Sequence, residues 1–525
     1  MTYQSILYLF LFLPAVMLIY QVTPERHRYK ILLTASYLFF LSVSGKLVLF
    51  LLVSTLSNHH TGLWMDSLKQ MPDGIDHQTK KETQKALQSI RRRILWFGIA
   101  IQLTMLIALK YSGFFSDNLN VLLKAVSFPY LLPTLKFALP IGISFYTLQA
   151  ISYLIDVYYG KIKADGHLGR LALYLTFFPT IMEGPICRYS QTAYALTEGK
   201  PLTYRQTTYG AQRIIWGLFK KLVIADRLNL LVETIFGSPN QYGGIVVIAG
   251  AVLYTFQLYA DFSGCIDITI GTGEIFGIAI PENFRQPFFS KTPSEFWRRW
   301  HITLGTWLKD YIFYPISLTK MGKKLGKYTR AKFKKHTGQV LASTPALFGV
   351  WICNGFWHGS GWNYLFYGMY YFVLILIDNF MEPTAEKLRN KWKIQKNHPV
   401  YLGFQSVKLL LIVFTGELFF RANTLTDGFH MFLSIFNRFQ LSAFTDGSLM
   451  KLGLSIQDYG AVLLGLLAVL VVDLIHERGG SIRDSISKLN LPIRWSLLYA
   501  SLFLVIILGA YGNGYLPAKL IYAGF

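Results

Sequence analysis

The stretch "ALFGVWICNGFWHGSGWNYLFYGMYYFVLILID", residues 346–378, decides how this chain is read. Its one histidine, His358, lies between two apolar runs. Phe356, Trp357, Trp362 and Phe366 surround it, with Gly355, Gly359 and Gly361 along the same turn. Residues 341–357 carry no charged side chain, and a helix over that span rises about 25 Å, close to the roughly 30 Å hydrocarbon core of a bilayer. Basic segments lie before it and after residue 386. The pair reads as a hairpin rooted in the cytoplasm, with His358 at its turn on the far side. Glycines on both sides permit a chain break and close approach by a ligand. An ionisable group at that depth is costly and points to function; a structural histidine bonded to a carbonyl is the alternative.

The rest of the chain has the same character. Of its 525 residues, 52% are hydrophobic, 16% aromatic and 15% charged, and mean hydropathy is +0.36. Soluble domains carry about a quarter charged residues. Further apolar segments fall at 5–22, 31–57, 94–111, 140–159, 244–260, 403–420, 459–475 and 495–512. They predict an all-α polytopic membrane protein with roughly 11–14 membrane segments, some of them re-entrant or broken. Period-two alternation is absent, which excludes an outer-membrane barrel. Residues 5–22 lack a basic n-region and a cleavage site and read as a retained first span. Cys187, Cys265 and Cys353 show no CxxC spacing, so neither a disulfide framework nor a metal site is expected.

The net charge of +23 does not indicate a nucleic-acid partner, because the basic residues gather in short loops between apolar runs. Eight Lys or Arg and no acid lie between Lys320 and Lys335; further clusters run from Lys69 to Arg93 and from Lys387 to Lys396. This is the positive-inside pattern. It predicts a cytoplasmic insertion at 58–93 and a basic cytoplasmic loop at 319–340, with the uncharged 237–243 outside. Membrane lipid accounts for these charges, each contributing about 1 kcal/mol near anionic headgroups. Docking of an anionic cytosolic donor is the other use for them. No linker or repeat divides the chain, so 1–525 reads as one membrane domain.

Polar groups interleave with apolar ones from about 175 to 310, and irregular backbone at membrane depth survives only inside protein or beside a wet cavity. In "EFWRRWHITLGTWLKDY" (295–311), Trp297, Trp300, His301, Leu304 and Trp307 form one helical stripe, with Arg298 and Arg299 largely off it. Two readings fit: a site helix at the cytoplasmic face, or an interfacial Trp anchor with His301 at its edge. "FFPTIMEGPICRY" (177–189) sets Glu183 and Arg188 around two prolines and predicts a broken helix. "YADFSGCIDITIGTGEIFG" (259–277) has GxGxxxG rather than a dinucleotide loop, and close helix packing explains its glycines. Its Asp261 and Asp267 read as intramembrane carboxylates, with Arg188 or Arg285 as partners.

Taken together, "LPIGISFYTLQ", "FFPTIMEGPICRY", "YADFSGCIDITIG", "PENFRQPFFS", "EFWRRWHITLGTWLKDYIFYP", "FWHGSGWNYLFYG" and "FFRA" resemble the membrane-bound O-acyltransferase (MBOAT) superfamily. The nearest likeness is to its bacterial alginate O-acetyltransferase-like branch, which includes the D-alanyl transfer proteins of teichoic acids. The resemblance covers residues 90–425 densely. It implies helices around a central funnel or tunnel and acyl transfer from a cytosolic thioester, acetyl-CoA or an acyl carrier protein, with no bound cofactor. It implies an outside acceptor, a cell-envelope polysaccharide or an esterase-like (SGNH) transferase, and a place in the bacterial inner (cytoplasmic) membrane. The two family histidines match His301 and His358, the second as catalytic base. Trp297, Arg298, Trp300, Asn354, Trp357, Asp261, Glu183 and Arg188 become candidate tunnel-lining residues.

An acceptor hydroxyl needs a base, and a positioned neutral imidazole supplies one. Trp indole N–H groups, Asn354 or backbone N–H groups near Gly359 are candidate oxyanion donors. His301 is expected nearer the cytoplasm, facing the donor, and His358 deeper. Two alternatives compete with acetyl transfer. One is D-alanyl transfer to teichoic acid from a carrier-protein thioester. The other is a lipid-linked sugar transporter or flippase, which also needs broken helices, although no internal repeat is visible.

Overall fold

Each apolar run in lipid has to satisfy its own backbone N–H and C=O groups, and a helix does so within one segment. The computed structural model describes residues 1–69, 77–134, 137–511 and 515, with only the backbone described at 77–80. It is 78% helical, with no strand among the described residues. Eight helical stretches among them are long and apolar enough to cross a membrane: Glu25–Ser67, Lys81–Ala125, Gly244–Ile275, Lys335–His358, Trp362–Lys391, Pro399–Arg421, Ile456–Glu477 and Leu491–Leu508. Leu7–Val22 is apolar but shorter. Long unbroken stretches are fewer than the 11–14 membrane segments expected from hydropathy, which include short and broken ones. One reason is length: Ile143–Tyr159 has 17 residues. Another is that the polar-interleaved middle breaks into short helices, among them Leu168–Thr176, Tyr189–Thr192 and Ala195–Glu198.

The chain forms two compact units. The first comprises 1–211 with 268–281. Tyr3, Tyr8, Phe39 and Phe178 are buried at its centre, where the Tyr3 hydroxyl donates to the Phe178 carbonyl at 3.0 Å. Of the stretch 58–93, expected as a cytoplasmic insertion, 70–76 lie outside the described residues. The helix Val48–Ser67 runs on through 58–67 with Asn58, His59 and Thr61 buried, and His77–Leu106 is one helix that carries the basic stretch straight into the apolar one. The PxxxxxP segment breaks as expected: helix Leu168–Thr176 ends, 178–183 form turns and 184–188 run without regular structure, with Glu183 buried. A Cβ at Gly210 would lie 2.4 Å from the Gly271 carbonyl oxygen, so close helix packing is present at Gly271, the first glycine of GxGxxxG.

The second unit comprises 212–267 with 282 onward. The segment expected as a basic loop is folded. Thr319 caps the helix Lys320–Lys332, its hydroxyl accepting from the Gly322 N–H at 3.0 Å, and Lys335–His358 begins three residues after it ends. The hairpin read from the sequence is present: Lys335–His358 ends on His358, and Trp362–Lys391 starts after Gly359–Gly361. Its glycines admit the neighbouring helix rather than only a ligand. A Cβ at Gly368 would lie 2.4 Å from the Trp351 carbonyl oxygen, and one at Gly355 would lie 2.7 Å from that of Tyr364.

Candidate active site

Thr292 caps Pro293–Arg299, its hydroxyl accepting from the Glu295 N–H at 3.1 Å. One helix was expected through 295–311, but it stops there. Trp300 is extended, His301 takes φ +46°, and a new helix runs Ile302–Leu308. The cause lies outside the segment. The Arg285 N–H donates to the Arg299 carbonyl and the Ile302 N–H to the Asn283 carbonyl, each at 2.9 Å. These long-range bonds hold a backbone conformation that costs a non-glycine residue about 1–3 kcal/mol.

Asn283 also orients the imidazole. Its Oδ1 accepts from the Thr303 N–H at 3.0 Å and the Thr303 hydroxyl at 2.9 Å, and lies 3.3 Å from His301 Nδ1. A backbone N–H only donates, so Thr303 fixes Oδ1 as the acceptor. Nδ1 then carries the His301 proton and the ring lone pair rests on Nε2. Burial lowers the His301 imidazole from 6.5 to about 3, so this ring is neutral at pH 7.

The edge-on Trp357 indole lies 5.1 Å, centroid to centroid, from both His301 and His358. A single indole therefore lies between the two histidine rings. Phe262 closes the far side of His301 at 4.9 Å. His358 is buried against Phe420 at 5.1 Å and Tyr367 at 5.8 Å. The Tyr367 hydroxyl donates to Glu417 Oε1 at 2.7 Å. Trp297 completes the chamber, 4.9 Å from Tyr371, 5.0 Å from Trp351 and 6.1 Å from Tyr367. Trp297 Nε1, Asn354 Oδ1 and Glu417 Oε2 are buried without a hydrogen-bond partner among the described residues. Native interiors rarely leave such atoms unsatisfied without a functional reason.

The structure thus gathers His301, His358, Trp357 and Trp297, with Asn354 one helical turn before His358. Trp300 packs elsewhere, on Phe284 at 5.0 Å and Phe296 at 5.4 Å, and Arg298 is exposed. Glu183 and Arg188 belong to the first unit. The partners proposed for the two aspartates are corrected. Asp261 pairs with Lys221 at 2.6 Å, and that lysine also reaches Asp226 at 2.9 Å. Asp267 pairs with Lys220 at 2.6 Å and Arg213 at 3.0 Å. The two lysines are consecutive on the π-helical stretch Phe219–Ala225, so each finds its own carboxylate on the Gly244–Ile275 helix. Sequence reading missed Tyr367, Glu417 and Asn283. Only Glu417 gave a signal, as a lone carboxylate inside the apolar run 409–420.

Residues 32–420 match the profile of MBOAT, the membrane-bound O-acyltransferase family. The chain belongs to that family and is a multi-pass bacterial membrane O-acyltransferase. Among known proteins it is similar to the probable alginate O-acetylase AlgI of Pseudomonas aeruginosa, 32% identical over 441 residues, which cover 83% of this chain and 75% of that protein. It is 30% identical over 337 residues to the peptidoglycan O-acetyltransferase of Helicobacter pylori, 59% of each chain. The teichoic acid D-alanyltransferase of Bacillus subtilis is 30% identical over 292 residues, 53% of this chain and 69% of that one. Membership of an enzyme family decides against the transporter reading.

Proposed function

We propose that this enzyme moves an acetyl group from a cytosolic thioester, acetyl-CoA or an acyl carrier protein, to a hydroxyl of a cell-envelope polysaccharide. It works in the inner membrane, directly or through an extracytoplasmic esterase-like (SGNH) transferase. The observation that carries this reading is the buried chamber in which His358 lies beside the Tyr367–Glu417 pair and shares Trp357 with His301. The His358 imidazole takes the acceptor hydroxyl's proton, and the oxygen attacks the thioester carbonyl. The Trp297 Nε1–H donates to the developing oxyanion in this reading. Collapse expels the thiolate, which recovers the proton from His358, leaving an ester and a thiol. Acetyl is favoured because the alginate O-acetylase likeness covers 83% of the chain and the D-alanyltransferase likeness 53%. D-Alanyl transfer to teichoic acid is the second reading.

The test is a deletion strain complemented with wild type, His358→Ala or His358→Gln, with alkali-released acetate and D-alanine measured from the envelope. Wild type should restore acetate. Both variants should insert normally and lose about 10²–10⁴-fold in transfer rate, the contribution of a positioned base. Dependence of D-alanine rather than acetate on the gene would establish the second reading. Near-normal transfer by His358→Gln would show that the base lies elsewhere.

A further inference from the structure

A cavity of about 600 Å³ lies in the second unit among residues 212–220, 259–267, 282–286 and 481–486 and the helices Ile456–Glu477 and Leu491–Leu508. None of the histidine chamber lines it, and its last two walls lie beyond the stretch that matches the family profile. The volume is within the range of small-molecule sites, about 300–1,000 Å³. One end is charged, with five Lys or Arg (213, 220, 285, 483, 494) against three acids (267, 282, 473). The acids are already engaged. Asp267 holds Lys220 and Arg213, Glu282 holds Arg213 at 2.6 Å, and Asp473 accepts from the Tyr259 hydroxyl at 3.0 Å. Arg285 and Arg494 have no carboxylate partner among the described residues, and Arg494 Nε is buried there without a hydrogen-bond acceptor.

Leu504 lies ten residues, about 15 Å, along its helix from Arg494, so the far end is apolar, with Ala468, Val472, Leu497 and Leu504. Leu497 and Leu504 are each 41% exposed on a helix apolar enough to cross a membrane. That side therefore opens toward lipid. The segment 478–494 carries Arg478, Arg483, Lys488 and Arg494 against Asp484 alone, which assigns the charged end to the cytoplasmic leaflet.

We propose that this cavity binds an anionic phospholipid of the inner leaflet. Its phosphate sits between Arg285 and Arg494, and the upper part of one chain lies along Val472, Leu497 and Leu504. A soluble phosphate compound would share the arginine contacts but would leave the leucine wall unfilled. Basic pockets between membrane helices are the usual form of such sites.

The test uses full-length protein, delipidated in neutral detergent, with thermal unfolding followed on adding dioleoyl-phosphatidylglycerol, dioleoyl-phosphatidylcholine, glycerol 3-phosphate or inorganic phosphate. Phosphatidylglycerol should raise Tm by about 3 °C or more, as a ligand of the folded state does, and the other three should not. Arg285→Ala with Arg494→Ala should abolish that shift. Leu504→Trp, which keeps both arginines and fills the apolar end, should abolish it too, so the proposal stays testable should the double variant fail to fold. Equal shifts with phosphatidylcholine, a shift with glycerol 3-phosphate or phosphate alone, or a phosphatidylglycerol shift that survives in Leu504→Trp would each overturn the proposal.

Discussion

At His301 a strained backbone and a buried imidazole coincide, and the second has a pH signature. The folded ring gains a proton only near pH 3, the unfolded one near 6.5. Between these values the unfolded chain binds more protons. The residue's contribution to stability is therefore whole above 6.5 and declines as pH falls below it. His301→Gln keeps an uncharged side chain in both states, so its Tm should fall less steeply than wild type from pH 7 to about pH 5 in detergent. Parallel slopes would mean that the wild-type ring reaches water. Both histidines were legible in the sequence because an ionisable group among tryptophans stands out in an apolar run. Asn283 was not, because in "PENFRQPFFS" it reads as an ordinary turn residue. Its role arises only when 283–285 bond to 299–302, and Tyr367 likewise gains meaning only from Glu417, a whole helix away.

The helical hairpin around His358 depends on how closely its two arms approach. Alanine at 368 would set a methyl 2.4 Å from the Trp351 carbonyl oxygen, a backbone atom that moves only with its helix. Gly368→Ala should cost about 1–3 kcal/mol as an overpacked contact. It should also lower transfer about 10²-fold by displacing His358 roughly 1 Å. Gly403, also helical, meets nothing within 4 Å, so Gly403→Ala should leave Tm unchanged or raised. The check is Tm and turnover measured on both variants; a Gly368→Ala protein as active as the Gly403→Ala one would refute the close-packing argument. At this scale the long apolar helices were legible from hydropathy, as was the double-proline break. The interruption at Trp300–His301 was not, because its apolar spacing is that of a continuous helix and remote backbone bonds override it.

Over the whole molecule, charge placement predicts orientation. Lys327 and Lys391 are exposed on separate basic segments that the positive-inside pattern puts on one side. Cysteines replacing either should resist a membrane-impermeant maleimide in intact cells and react after permeabilisation; labelling of either from outside would reverse the orientation. The number of spans was less legible, since composition does not say which apolar runs are shorter than a bilayer. Order along the chain matters as well as placement. Arg213 and Lys220 leave the ribosome before Asp267 and Glu282, the carboxylates that neutralise them. A buried charge without its partner costs several kcal/mol. The helical run 204–237 therefore has no stable place in the bilayer when first synthesised. Stable burial of this run awaits the Gly244–Ile275 helix, which brings Asp261 to Lys221 and Asp267 to Lys220 and Arg213, so the two elements should fold in one coupled step.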